Sequence, residues 1–128
     1  MLEVIKQYEY ESESWKRVLG FFQEECINFK KRLSEILKHE VSSDLLERAE
    51  YFQYKFITHD ELIRLLYNDI VNQCKLLQKE ILVDGERLDH LVKVQHKLRY
   101  EIKIEEKEFS KLREEFNGYL IENFLQMY

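Results

Sequence analysis

Residues 73–95 read QCKLLQKEILVDGERLDHLVKVQ, and the fold turns on how the chain passes through their centre. Stepping back from Asp84-Gly85 by alternate threes and fours lands on Leu77, Gln73, Ile70 and Leu66; stepping forward lands on Leu88, Leu91, Gln95 and Leu98. That period marks an amphipathic helix on each side. Asp-Gly is a turn dipeptide, and glycine tolerates the left-handed conformation that commonly ends a helix. If the chain reverses there, residues whose numbers sum to about 168 face each other across two antiparallel helices. Leu77 then meets Leu91, Ile70 meets Leu98, Leu66 meets Ile102 and Phe52 meets Phe116. Gln73 falls opposite Gln95. Polar residues at core positions survive best when they satisfy one another. A hairpin supplies that match, whereas a continuous rod leaves it to chance.

The stripes extend outward from this hairpin. Leu45, Ala49, Phe52, Phe56, His59 and Ile63 carry the second helix over about residues 44–82. Ile102, Glu105, Phe109, Leu112, Phe116 and Tyr119 carry the third over about 86–124, with Asn117-Gly118 as a stop signal inside it. A first stripe, Tyr8, Ser12, Trp15, Leu19, Phe22, Cys26, Phe29, Leu33 and Ile36, predicts a helix over about 5–38. Ser43 or Asp44 is the expected N-cap of the second helix, with Glu47 completing a capping-box pair with Asp44. Thr58 and Glu61 repeat that spacing, but the stripe passes His59 in register, so one unbroken helix is expected. Around Val41 the fold-back pairs Leu33 with Ala49, Leu19 with Ile63 and Trp15 with Leu66. The expected architecture is all-α: an antiparallel up-down-up bundle of three long helices with coiled-coil-like packing, residues 1–128 forming one domain.

Composition agrees. The 128 residues are 45% hydrophobic and 35% charged, a mix that builds a core rather than a disordered chain. There is no proline and there are three glycines, so turns are few and elements long. A net charge of −5 argues against nucleic acid as a partner. No apolar run approaches the ~20 residues that cross a bilayer, and the acidic N-terminus lacks a signal-peptide core. A soluble, cytoplasmic protein is expected.

Chemistry is harder to find. Gly20, Gly85 and Gly118 are isolated, which excludes a phosphate-cradling loop. Di-iron bundles use Glu-x-x-His on two helices, and the chain contains none. Cys26 and Cys74 read as small core hydrophobes. No catalytic residue, metal or cofactor is expected. His59 stands at the level of Phe22 and Phe109, near Glu105, and reads as a buried histidine held by Glu105 or Glu25 to fix register. The alternative is a ligand- or proton-sensing site built from His59, Glu105 and the Gln73/Gln95 layer. Lys93, Lys97, Tyr100, Lys107 and Lys111 follow an outward stripe, but interleaved glutamates make it a solvated face.

What remains is apolar surplus. Tyr51, Tyr54, Ile57, Leu65 and Val71 lie off the core stripe of the second helix, and Ile121, Phe124 and Leu125 lie in the C-terminal segment. Large apolar groups left outward mark an interface, unless the segment folds back over its own bundle. The expected function is therefore a non-enzymatic interaction, scaffold or adaptor module with a protein partner, self-associating as a homodimer.

Overall fold

Apolar residues at alternating three- and four-residue steps give each helix one dry face, and three such faces close on one another. A computed structural model describes residues 2–39, 42–79 and 85–124. Helix α1 runs Leu2–Leu37, α2 runs Ser43–Lys79 and α3 runs Gly85–Asn123. At 1.5 Å per residue each is about 55 Å long. They pack as an up-down-up bundle in which α2 contacts both α1 and α3. Every expected stripe position is buried except Tyr8, Leu45, His59 and Leu88, which are half-buried.

Aromatic rings fill the end of the bundle near the α1–α2 turn. Phe52 and Phe116 meet at 5.2 Å between ring centroids, as the hairpin pairing requires. Phe56 meets Phe116 edge-on at 5.1 Å and Phe29 at 5.0 Å. Such pairs favour tilted or edge geometry and add to the burial of their area. The Tyr119 hydroxyl donates to the Leu45 carbonyl at 2.8 Å, tying the end of α3 to the start of α2. At the opposite end Ile5, Leu77 and Leu91 form a smaller cluster, joining the start of α1 to the α2–α3 hairpin. Helix α1 begins at Leu2, three residues before the expected start.

Two local expectations are corrected, at the N-cap of α2 and at Gly85, and the expected run of α3 through Asn117-Gly118 is met. The N-cap of α2 is Ser42 rather than Ser43 or Asp44: its Oγ accepts from the Leu45 amide at 3.3 Å, and its carbonyl accepts from Leu46 at 3.0 Å. Ser43 is already helical, so the capping oxygen comes from the residue before it. Asp44 instead places its charge in the first turn, where the helix dipole favours it. Gly85 opens α3 as a helical residue instead of standing in a left-handed stop. The expected end of α2 at Leu82, and Asp84, lie outside the described residues. Asn117-Gly118 does not stop α3, because Tyr119 and Leu120 are buried beyond it, and their burial outweighs the ~1 kcal/mol that a helical glycine costs. Thr58 is helical too, its hydroxyl donating to the Tyr54 carbonyl at 2.9 Å.

Candidate functional site

Two buried polar layers cross the bundle. In the first, Gln73 of α2 and Gln95 of α3 are fully buried and face each other. Gln73 Nε2 donates to Gln95 Oε1 at 3.2 Å and to the Leu91 carbonyl at 2.9 Å. Gln95 Nε2 donates to Glu11 Oε1 at 2.8 Å, with the buried Ser12 hydroxyl at 3.4 Å. Arg99 grips the same carboxylate bidentately, Nε and Nη2 each donating at 2.7 Å. Burial pushes the Glu11 carboxyl up, but the hydrogen bonds from Arg99 and Gln95, with the Arg99 charge, outweigh it and hold Glu11 below the ordinary value. The same bond to Glu11 raises Arg99. One chain of polar groups thus links all three helices. Glu11 and Arg99 were not anticipated as its outer members.

The second layer holds His59 and Glu105. His59 Nδ1 lies 2.5 Å from Glu105 Oε1, and Glu105 is 1% exposed. Phe109 sits edge-on to the imidazole at 6.1 Å and stacks on Phe22 at 4.4 Å. Of the two expected carboxylate partners Glu105 is the one used, since Glu25 pairs with Arg113. Glu105 Oε2 and, in the first layer, Gln73 Oε1 are buried without a hydrogen-bond partner among the described residues. The Cys26 thiol is pushed up to about 12, chiefly by burial, so it stays protonated and packs as an apolar group. Among the described residues no three His, Cys, Asp or Glu side chains are grouped to hold a metal. No described helix is long and apolar enough to cross a membrane.

The third feature is external. Tyr51, Tyr54, Ile57 and Leu65 are 47–67% exposed on the face of α2 opposite its core stripe. Leu46, Leu62 and Leu76 add exposed apolar surface beside them. Val71 is half-buried. The C-terminal residues divide. Phe124 is half-buried and packs edge-on against Tyr119 at 5.4 Å, so through this residue the segment covers its own bundle end. Ile121 stays exposed, and Leu125 lies outside the described residues. Tyr51 lines an open groove of about 360 Å³ between α2 and α3, shared with Gly118 and Glu122 but not Ile121. A second open groove, about 300 Å³, lies between Tyr10 of α1 and Gln78 of α2. Neither groove is lined by His59, Gln73, Gln95 or Glu105. Tyr10, Phe21 and Ile27 of α1 and Ile104 of α3 are also exposed, and sequence periodicity had not singled them out.

The chain matches no known family, and no curated protein or solved structure is significantly similar to it.

Proposed function

We propose that this chain is a non-enzymatic interaction module, a scaffold or adaptor, that pairs with a second copy of itself through the outer face of α2. One observation carries the reading. The core stripe of α2 is complete from Ala49 to Leu77, yet Tyr51, Tyr54, Ile57 and Leu65 stand on the far side at roughly half exposure or more. Scattered exposed apolar residues are ordinary. Four large ones on one face within fifteen residues form a patch of the kind that marks an interface. Two-fold pairing covers such a patch economically, because the same surface serves both partners.

Aspartate at Tyr54 and Ile57 tests the reading. Light scattering should show the variant as a monomer, with helix content by circular dichroism unchanged. A dimer that survives both changes places the contact elsewhere and overturns the assignment.

A second reading rests on Glu105, whose Oε2 is buried beside His59 without a partner among the described residues. A histidine bonded to an enclosed carboxyl group suits a proton-linked device. It requires the dimer constant or the melting temperature to shift between about pH 5 and 8, and the shift to vanish in His59→Gln. A shift that persists in that variant rejects it and leaves the pair a register-fixing contact.

A further inference from the structure

Glu50, Ile57 and Arg64 stand seven residues apart, so they lie on one line along α2, and all three are exposed. The line borders the face that carries Tyr54 and Leu65. Its ends carry opposite charges and its midpoint is apolar. An antiparallel two-fold contact brings each flank of a helix against the same flank of its copy. With the axis at Ile57, that places Glu50 of one copy against Arg64 of the other, twice, and Ile57 against its own counterpart. A parallel pair puts this flank on opposite edges of the contact, and Glu50 and Arg64 never meet. Arg64 is free to reach across: its bond within the chain is an exposed one to Asp60, at 3.3 Å, four residues away. Such pairs are weak.

We infer that two copies of this chain pair through antiparallel α2 helices about an axis at Ile57, with Glu50–Arg64 bridges on either side. The inference rests on the self-association proposed above and adds its register and polarity. The helices overlap from Ser43 to Val71, about 40 Å at the helical rise. That is a small contact beside those of obligate dimers, so the pairing is concentration-dependent. Rim charges of this kind set orientation and partner choice more than affinity.

Charge exchange within the chain is the direct test, read by sedimentation equilibrium on full-length protein. Glu50→Arg and Arg64→Glu each put like charges together at two symmetric positions. Each should weaken the dimer by about tenfold, the combined effect expected of two exposed pairs turned repulsive. The double variant, Glu50→Arg with Arg64→Glu, restores opposite charges and should return within about twofold of the original constant, because it conserves both symmetric pairs. Ile57→Cys should cross-link to its own copy under mild oxidation, since facing α-carbons at the axis come within disulfide range. A dimer split by aspartate at Tyr54 and Ile57 but indifferent to both reversals overturns this register while self-association stands. So does a double variant as weak as the singles, or an Ile57→Cys chain that stays monomeric under oxidation while its reduced form dimerises. A wild-type chain that never dimerises removes both proposals, and capture of a different protein on the same face removes this one.

Discussion

Glu11 shows how one residue's surroundings become a property of the whole chain. Its carboxylate accepts from Gln95 and, bidentately, from Arg99, and these bonds hold it below the ordinary carboxylate value. A carboxyl held down in the folded state stabilises it above the ordinary value of about 4. That contribution is lost as the pH falls through the lowered value. Glu11→Gln should therefore lose about 1 kcal/mol at neutral pH, a figure discounted for the partial exposure of the pair. Thermal unfolding across pH 2 to 7, roughly the carboxylate range, should show a shallower acid decline in the variant than in the parent. Equal declines would assign the acid sensitivity to other carboxylates. The Gln73–Gln95 pair was legible in the sequence because a short turn fixes the register of α2 against α3. The Glu11–Arg99 link was not, because α1 and α3 run parallel and no turn joins them. His59 offered two carboxylates, and the choice of Glu105 is legible only once Arg113 is seen to occupy Glu25.

At the scale of the helix, periodicity located the elements and single residues set their ends. The stripes placed all three helices, since burial of a face reaches every third or fourth residue. The ends depend on one or two hydrogen bonds, which is why the cap moved from Ser43 to Ser42. Ser42→Ala should cost about 1 kcal/mol in urea unfolding, the usual worth of a capping oxygen; an unchanged midpoint would show that the bond to Leu45 contributes nothing. The opposite sign is expected at Gly118. It is helical with negative φ, and a methyl group there meets no atom within 4 Å. Gly118→Ala should raise stability by roughly 0.5–1 kcal/mol. A loss would mean that the end of α3 needs glycine's freedom. In the core Phe56, fully buried among Phe29, Phe52 and Phe116, should cost about 3–5 kcal/mol as alanine.

Across the whole molecule, the hairpin and the apolar outer face are the two claims that matter. Leu77 and Leu91 share one buried cluster, so cysteines in their places should cross-link within a single chain. A pair that fails to close would separate the two helices. The outer face was legible on α2 because its surplus stands against a complete stripe. Tyr10, Phe21 and Ile27 escaped notice because α1 carries them dispersed along its length rather than gathered beside one another as on α2. For Phe124 the sequence left interface and fold-back both open, and the packing against Tyr119 decides for fold-back at this residue. Self-association is the claim from which the function and the antiparallel register both follow. Sedimentation equilibrium of the unaltered chain, from micromolar to near-millimolar concentration, tests it most directly. The average mass should rise with concentration toward twice the 15.8 kDa of one chain; a mass that stays at 15.8 kDa throughout would contradict the account.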